Sequence, residues 1–360
     1  MTRANNFDFL RLFAAAVVVI GHSFVLGVIG HSTVELLRVP IATYGVYIFF
    51  SISGYLITGS WLDDPNPRRY AAKRFLRIIP ALFVVVIVAT FVLGPFLSSF
   101  TLQQYFENTR TYNYLRTVAL YIIYDLPGVF AANPYPGVVN GSLWSLPPEV
   151  FMYIVTPLCM LIYARRTAWI YSALCVVFAC LSLYLEYHHH GLRWVVYATD
   201  VQETCKMAGF FMAGAAICSL GNRVSFKAPY IALAIAIFVL TRLIPWNHEV
   251  GFVLAPVSAA AFTYAIIGIG QRSTPVISRA GRYGVFSYGL YLYAFPVQQI
   301  IAKLLPGISL LLANLGALLV TLALAYISWH VVEQPVLRLK PSSAKNSRPT
   351  QSPERLTAAL

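Results

Sequence analysis

The sequence predicts an all-α polytopic membrane protein with about ten transmembrane helices and with both termini in the cytoplasm. Of its 360 residues, 58% are hydrophobic and only 11% are charged, and the mean hydropathy of +0.68 exceeds that of soluble domains. Long apolar runs recur along the chain, as membrane spans require. Because no polar stretch approaches the roughly 100 residues of a typical soluble domain, we expect one membrane domain, residues 1–335.

Ten apolar runs are close to the roughly 20 residues that a helix needs to cross a membrane. The predicted spans are 7–29, 41–61, 78–98, 143–163, 168–187, 204–220, 228–244, 251–270, 284–304 and 309–331. Residues 336–360, rich in Ser, Pro, Lys and Arg, are expected to form a disordered basic tail. Such a tail is attracted to the anionic lipid of the inner leaflet.

The distribution of positive charge predicts the orientation. With the N-terminus inside, 19 of the 26 Lys and Arg residues lie in or beside cytoplasmic segments, as the positive-inside rule expects. The net charge of +13 is therefore a matter of topology, and no nucleic-acid partner is predicted. The other seven residues are Arg38, Arg110, Arg116, Arg193, Lys206, Arg242 and Lys303.

The first span holds two ionisable side chains that lipid penalises, Arg11 and His22. Eleven residues separate them, which is about 16 Å and about three helical turns, so both lie on one face. Asp8, one turn before Arg11, can pair with it. Topology alone explains a snorkelling Arg11, and a helix-packing hydrogen bond is the alternative for His22. Because intramembrane ionisable groups usually mark function and imidazole exchanges protons near neutral pH, His22 is interpreted as a catalytic candidate.

Two arginines at the inner mouth of the third span predict an anion site. Arg74 and Arg77 share a helix face, and paired guanidinium groups suit phosphates. They are the side chains that a cytoplasmic, nucleotide-bearing donor needs. The alternative is that they only fix the topology of the loop.

The stretch "NGSLWSLPPEVFMY", residues 140–153, begins the fourth span. Its two prolines are tolerated in the first turn of a helix, which places Glu149 in that turn on the outer side. The helix dipole stabilises a carboxylate there, which is the structural alternative. Since Glu149 and His22 both lie in the outer halves of their spans, we expect them to meet. A carboxylate beside an imidazole fixes its tautomer and stabilises its charged form.

Six stretches together resemble the membrane acyltransferase-3 family. "FDFLRLFAAAVVVIGHS" resembles its first-span motif through Arg11 and His22, and "KRFLRIIPA" matches its Arg-x-x-Arg motif through Arg74 and Arg77. "GVYIFFSISGYLIT" resembles the second-span signature, and "NGSLWSLPPEVFMY" resembles the Ser-Leu-Trp-Ser/Thr-Leu-x-x-Glu stretch. "SYGLYLYAFP" and "VVEQP" match the last spans. Many relatives have His where this chain has Ala294, so any role of that His is absent here.

The resemblance implies ten spans and transfer of an acyl group, often acetyl, from cytoplasmic acyl-CoA to a saccharide hydroxyl. The reaction takes place at the outer face of a bacterial inner membrane, on an exopolysaccharide, the O-antigen of lipopolysaccharide or a glycolipid. Acetyl-CoA is a co-substrate, no cofactor or metal is bound, and the lipid bilayer is the surrounding partner. The implied catalytic residues are His22 and Glu149, with Arg11, Arg74 and Arg77 binding the donor and Asp8, Ser142, Trp144 and Ser145 in support.

Three alternatives remain open from the sequence. The chain transfers a succinyl or longer acyl group; it is a secondary transporter that uses Arg and His as substrate and proton sites; or it is a non-catalytic component of polysaccharide export. No internal repeat of the inverted-repeat transporter kind is evident. The sequence leaves open whether His22 carries the acyl group or acts only as a base.

Overall fold

A computed structural model of the chain describes residues 5–26, 33–162, 167–188 and 193–341. The fold is a bundle of α-helices with two short hairpins. The helices are α1 Phe7–Val25, α2 Ile41–Asp63, α3 Pro67–Val88, α4 Gly94–Leu97, α5 Leu102–Glu107, α6 Thr109–Asn113, α7 Leu146–Ile162, α8 Thr167–His188, α9 Val201–Leu220, α10 Ala228–Leu243, α11 His248–Gly270, α12 Ser287–Leu304, α13 Leu310–Ser328 and α14 Gln334–Leu337. The hairpins pair β1 Glu35–Leu36 with β2 Val39–Pro40, and β3 Val195–Val196 with β4 Thr199–Asp200.

The helices fall where the apolar runs predict them. Among the described residues, seven are long and apolar enough to cross a membrane: α1, α2, α3 with α4, α8, α9, α11, and α13 with α14. The predicted spans 143–163, 228–244 and 284–304 correspond to α7, α10 and α12, which are shorter or less apolar. The protein is therefore helical and polytopic, and the count of ten spans stays a prediction.

Two π-helical turns continue helices that would otherwise be broken by proline. Pro95 has no N–H to donate, so the bonding shifts by one residue, and Gly94 N–H donates to the carbonyl five residues earlier. The turn Ala89–Leu93 thereby joins α3 to α4. Pro335 has the same effect on the turn Trp329–Glu333, which joins α13 to α14. Such turns are frequent at functional sites, and the second one turns Glu333 into the bundle.

The long connection between α4 and α7 packs against the first π turn. Tyr105 and Tyr114 are fully buried in it. The Tyr105 hydroxyl donates to the Thr90 carbonyl at 2.9 Å. In the π turn the backbone donor to this carbonyl would be residue 95, but Pro95 has no N–H, so Tyr105 takes its place. We call this end of the bundle the loop end, and the opposite end, which carries Arg74 and Arg77, the basic end.

A helix–hairpin–helix unit occurs twice. In both units an antiparallel hairpin leads directly into a long helix: β1–β2 into α2, and β3–β4 into α9. The turn residues are left-handed in both, with φ of 50° and 62° at Leu37 and Arg38 and 51° and 56° at Tyr197 and Ala198. Hairpins of two residues favour this conformation because its twist matches that of the strands.

The helices α2 and α9 of the two units pack in parallel and in register. Gly54 and Gly214 stand at the same distance from the first residues of their helices. A Cβ at Gly54 would lie 1.9 Å from the Phe211 carbonyl oxygen, and one at Gly214 would lie 2.3 Å from that of Ser51. Small residues allow this backbone contact. The fold therefore has a parallel internal repeat, with α1, α12 and α13 packed on one side and α8, α10 and α11 on the other.

Candidate active site

A cavity of about 310 Å³ lies between α1, α2, α3, α7 and α12. Five cationic side chains line it: Arg11, Lys73, Arg74, Arg77 and Lys340. The three arginines that the sequence predicts to bind a donor thus line one cavity, which we call the basic cavity. Because like charges repel at short range, five cations around so small a volume favour a ligand with several negative charges.

Arg77 is held from behind by a buried carboxylate. Its Nη1 lies 3.2 Å from Glu333 Oε2, and the Glu333 side chain is only 3% exposed. Glu333 also accepts a hydrogen bond from Ser328 at 3.3 Å, and the Arg77 guanidinium lies 5.4 Å from the centroid of the Tyr288 ring. The second π turn brings Glu333 to this position, so the end of the last long helix orients an arginine of α3.

Arg74 is held by aromatic rings. Its guanidinium lies 5.5 Å from the ring centroid of Tyr70 and 5.8 Å from that of Tyr153, and Nη2 donates to Ser60 at 3.0 Å. Its buried Nε–H has no partner among the described residues. Since an unpaired buried donor costs free energy, this group is available to an anionic ligand.

Lys73 is held at the cavity by Asp64, the residue that follows α2. The Asp64 carboxylate accepts from Arg69 Nε and from Lys73 Nζ, each at 3.0 Å. The hydrogen bonds from Arg69 and Lys73 hold the pKa of the Asp64 carboxyl well below its usual range. Asp64 is therefore anionic and fixes the loop between α2 and α3.

Sequence reasoning missed two of the five cations of this cavity, Lys73 and Lys340. Lys340 lies in the predicted tail 336–360, of which residues 336–341 are described and residues 342–360 lie outside the described residues. Burial and the nearby charges of Arg77 and Arg74 lower the pKa of Lys340 to about 8. The "VVEQP" stretch was the available signal, because a proline at that position produces the π turn that directs the chain back to the cavity.

Glu149 lies on the cavity wall, in hydrogen bonds that link α7 to α2. Its Oε1 accepts from Ser53 Oγ at 2.9 Å and from the Tyr153 hydroxyl at 2.5 Å. The expected contact with His22 is not among the hydrogen bonds of the described residues. The physical reason is distance along the chain: Glu149 lies about two helical turns, roughly 10 Å, beyond the segment that contacts His22.

His22 is paired with Ser142 instead. Its Nδ1 lies 3.5 Å from Ser142 Oγ, and its ring meets the Phe295 ring edge to face, with centroids 5.4 Å apart. Asn140 positions Ser142, since its side chain accepts from the Ser142 N–H at 3.3 Å and donates to the Leu292 carbonyl at 2.8 Å. The 3₁₀ turn Gly141–Ser145 thereby places a hydroxyl against the imidazole.

A short polar connection joins the basic cavity to His22. Ser145 and Tyr291 line the cavity, and their hydroxyl oxygens are 3.0 Å apart. The Tyr291 hydroxyl also donates to the backbone carbonyl of Ser142, whose side chain faces His22. His22 itself is not one of the described residues that line the cavity, so Ser142 lies between them.

The remaining predicted residues lie close by but make other contacts. Asp8 acts electrostatically on Arg11, but the two form no ion pair within 4.0 Å in the described part of the chain; the Asp8 carboxylate lies over Gly281, where a Cβ would be 2.3 Å from Oδ2. The predicted pairing is therefore an interaction at longer range. Trp144 packs against the main apolar core. Ala294 is buried against α1 and α13, in the place of the His found in many relatives.

The comparisons with known proteins give one family match and two similar relatives. Residues 5–330 match the acyltransferase-3 family, described as an acyltransferase domain. The "O-acetyl transferase" of Shigella phage Sf6 is 28% identical over 343 residues, covering 94% of this chain and 97% of the relative. "Nodulation protein 10" of Rhizobium leguminosarum bv. viciae is 28% identical over 356 residues, covering 94% of each. No solved structure matches.

The family match covers all the predicted site residues, and it ends shortly before Glu333 and Lys340. It agrees with the apolar helices, which are those of an integral membrane protein. The chain belongs to the acyltransferase-3 family and is an integral membrane acyltransferase.

Proposed function

We propose that the chain is an O-acyltransferase of the bacterial inner membrane that moves an acyl group, with acetyl as the first candidate, from cytoplasmic acyl-CoA to a saccharide hydroxyl at the outer face. One observation carries the proposal: a cavity lined by five cations is connected to the Ser142–His22 pair by the hydrogen bonds of Ser145 and Tyr291. A relative named "O-acetyl transferase" supports acetyl. The acceptor is an exopolysaccharide, an O-antigen or a glycolipid.

The donor phosphates bind at the basic end. Coenzyme A carries a diphosphate and a 3′-phosphate, which suit Lys73, Arg74, Arg77 and Lys340. Fork-shaped guanidinium groups bind phosphate oxygens in pairs, and the unpartnered Nε of Arg74 adds a donor. With the phosphates there, the thioester end extends along the cavity past Arg11 toward Ser145.

His22 has the chemistry to activate the acceptor hydroxyl. When Nδ1 carries the proton and donates to Ser142 Oγ, Nε2 keeps its lone pair. As a base, His22 takes the hydroxyl proton, the alkoxide oxygen attacks the thioester carbonyl, and the C–S bond breaks to release the CoA thiolate, which receives that proton. In the covalent route, Nε2 of His22 attacks the carbonyl first and the C–S bond breaks to release the CoA thiolate. The acceptor hydroxyl then attacks the acyl-imidazole, the C–N bond breaks to regenerate His22, and the hydroxyl proton passes to the thiolate.

Glu149 acts at the donor cavity in this scheme rather than on the imidazole. Its hydrogen bonds to Ser53 and Tyr153 hold the wall formed by α2 and α7. Its negative charge also offsets that of Arg11, with which it interacts electrostatically. At this position the Glu149 carboxylate reduces the repulsion among the other charged residues of the cavity, all of which are cations.

A specific observation favours a second candidate, transfer of a longer acyl group. An apolar cavity of about 470 Å³ lies between α3 and α7 and shares Arg74, Ile78 and Tyr153 with the basic cavity. Phe75, Ile154 and Leu158 are among the residues that line the rest of it. A long acyl chain on the thioester would leave the basic cavity by this route, whereas an acetyl group would not need it.

The test follows labelled acyl groups in inverted membrane vesicles that contain the full chain. We expect label from acetyl-CoA to enter the glycan, and the His22→Ala variant to lose this transfer while the matched His188→Ala variant keeps it. Full transfer by well-expressed His22→Ala would reject the proposal, and export without CoA dependence would favour a transporter. Mass analysis of the glycan identifies the acyl group.

A further inference from the structure

A second polar cavity lies at the loop end, away from the groups used so far. It has a volume of about 470 Å³, between α2, α8, α9, α10 and α11, which falls within the roughly 300–1,000 Å³ of small-molecule sites. It shares no lining residue with the basic cavity. Arg242, Lys206 and Glu203 are among its charged residues, and Tyr47 and Trp246 are among its aromatic ones.

Two cations of this cavity, Arg242 and the exposed Arg38, form no ion pair within 4.0 Å in the described part of the chain. Glu186 also lines the cavity and acts on Arg242 electrostatically, without an ion pair. Lys206 Nζ lies 2.7 Å from Glu203 Oε1, so that charge is compensated. Arg242 has no carboxylate within 4.0 Å in the part of the chain that the structure describes, and its buried Nε–H has no partner there. Its guanidinium lies 4.3 Å from the centroid of the Trp246 ring. A guanidinium held over a ring keeps N–H groups that form a fork suited to a carboxylate.

The aromatic residues of the cavity are held in fixed orientations. Tyr47 stacks on Phe210 with centroids 3.9 Å apart, and the Trp246 indole N–H donates to the Thr241 carbonyl at 2.6 Å. A sugar ring has an apolar face of C–H groups that packs on aromatic rings, and an edge of hydroxyls that needs polar partners. Rings beside an unpaired guanidinium therefore match a sugar that carries an acidic group.

The second cavity lies across α2 from His22. Gly21, the neighbour of His22, packs on Ala42, while Thr43, the next residue of α2, lines the cavity. The width of one helix, about 10 Å, separates them. Counted along the sequence, Ser182 precedes β3 by as many residues as His22 precedes β1, and Ser182 also lines the cavity. The cavity thus occupies, in the second repeat unit, the place that corresponds to His22 in the first.

We propose that the loop-end cavity is a second saccharide site, which binds a sugar bearing a carboxylate through Arg242 and holds it one helix width from His22. The acceptor role rests on the proposed function: a sugar bound here would anchor the saccharide whose neighbouring unit is acylated. Binding itself needs neither the donor nor the transfer reaction.

The test is equilibrium binding to the full chain in lipid nanodiscs, without acyl-CoA. The probe is a disaccharide of glucuronic acid and N-acetylglucosamine, compared with its neutral methyl ester and with inorganic phosphate. We expect the acid to bind, and both the ester and the Arg242→Gln variant to bind roughly 10- to 100-fold more weakly, as loss of a charged hydrogen bond implies. Arg116→Gln is the matched control, since Arg116 lies 4.1 Å from the Tyr121 ring centroid outside the cavity, and it should bind normally.

Several outcomes would overturn the inference. They are no binding of the acid by the wild-type chain, equal binding of acid and ester, unchanged binding by Arg242→Gln, or stronger competition by inorganic phosphate than by the acid. Arg242→Lys keeps the positive charge without the paired guanidinium donors and should bind with intermediate strength. This result would show that weak binding by Arg242→Gln is not due to misfolding. Because no donor is present, acid binding without acyl transfer would reject the proposed function while leaving this site standing.

Discussion

The two helix–hairpin–helix units have the same backbone plan but different side chains. In the first unit α1 carries Arg11 near its basic end and His22 near its loop end, and α2 carries Ser53 against Glu149. In the second unit the charged residues of α8 and α9 are confined to the loop end: Glu186, Glu203 and Lys206. The repeat therefore supplies a scaffold, and the first unit, which contacts both α7 and α12, carries two of the proposed site residues, Arg11 and His22.

The largest expected effect is on the rate of acyl transfer when His22, the proton-exchanging side chain of the first unit, is replaced. Replacing His22 with Ala removes the only group of the first unit able to exchange a proton beside Ser142, in the part of the chain described. We expect acyl transfer to fall by roughly 10²- to 10⁴-fold, as for loss of a general base, measured as initial rates with labelled acetyl-CoA. His188→Ala, at the end of α8 in the second unit, should retain the wild-type rate; an equal fall in both variants would contradict the assignment.

The next effect concerns the donor. Arg77→Ala should weaken acyl-CoA binding by roughly 10- to 100-fold, because a charged hydrogen bond is worth about 1.5–3 kcal/mol. It also leaves Glu333 buried without its ion-pair partner, which is destabilising. The double variant Arg77→Ala/Glu333→Gln also removes the unpaired buried charge of Glu333. It should still bind acyl-CoA weakly in calorimetry. Recovery of normal affinity in the double variant would show that Arg77 is only structural, and exposed Arg272 provides the control substitution.

The third effect is on stability and concerns the backbone contact between α2 and α9. A substitution on either helix, at Gly54 or at Gly214, should destabilise the protein. Gly54→Ala and Gly214→Ala each place a Cβ within 2.3 Å of a carbonyl oxygen of the other helix. We expect each to destabilise the protein by about 1–3 kcal/mol, the range for overpacking, measured by thermal unfolding in detergent. Gly59→Ala, whose Cβ would lie 3.5 Å from Cys218 Sγ, should be tolerated. If only one of the two glycine variants were destabilised, the packing would not be symmetric.

The smallest effect is the pH dependence of donor binding. Lys340 has a pKa of about 8 in the folded protein, lowered by burial and by Arg77, Arg74, Lys73 and Arg11. As pH rises through 8 it loses its charge, so we expect acyl-CoA affinity to fall a few-fold in wild type and much less in Lys340→Arg. A wild-type profile identical to that of Lys340→Arg would exclude Lys340 from the donor site.

The lowered pKa of Lys340 also makes the stability of the protein depend on pH, in the direction opposite to that of donor affinity. Because the folded pKa of Lys340 lies below its ordinary value of 10.5, the unfolded chain binds more protons between pH 8 and 10.5. Stability should therefore rise across that window, while donor affinity falls. Thermal unfolding of wild type and Lys340→Gln across this pH range measures the contribution of this one group.

The fold was predictable where it depends on local properties. Apolar length located the long helices, although α3 begins at Pro67, well before the predicted span 78–98, because its first turns are basic. Helical periodicity predicted that Arg74 and Arg77 share a face, and both line the cavity that Arg11 also lines. The internal repeat escaped sequence inspection because its two copies share backbone conformation and a pair of glycines, Gly54 and Gly214, rather than a chemical motif.

The site was less predictable where it depends on distant contacts. The expected pair Glu149–His22 was wrong because the 3₁₀ turn before α7 presents Ser142. Asp8 acts on Arg11 without a direct ion pair because its carboxylate lies on Gly281. Glu333 and Lys340 reach the arginines of α3 only because the π turn Trp329–Glu333 shifts the helical hydrogen-bond register. No local pattern of charge or hydropathy specifies such a meeting.

The second π turn makes the donor site sensitive to the length of the chain as well as to its composition. A π turn holds one residue more than an α turn at the same place, and each residue of a helix rotates the chain by about 100°. Deleting Val332 would let Trp329–Glu333 close as a regular helical turn, which needs one residue fewer, so all that follows would keep its angle. Inserting a further residue there would instead rotate Lys340 away from Arg77 with every side chain intact, so a single-codon insertion should disable donor binding where most substitutions at Val332 would not.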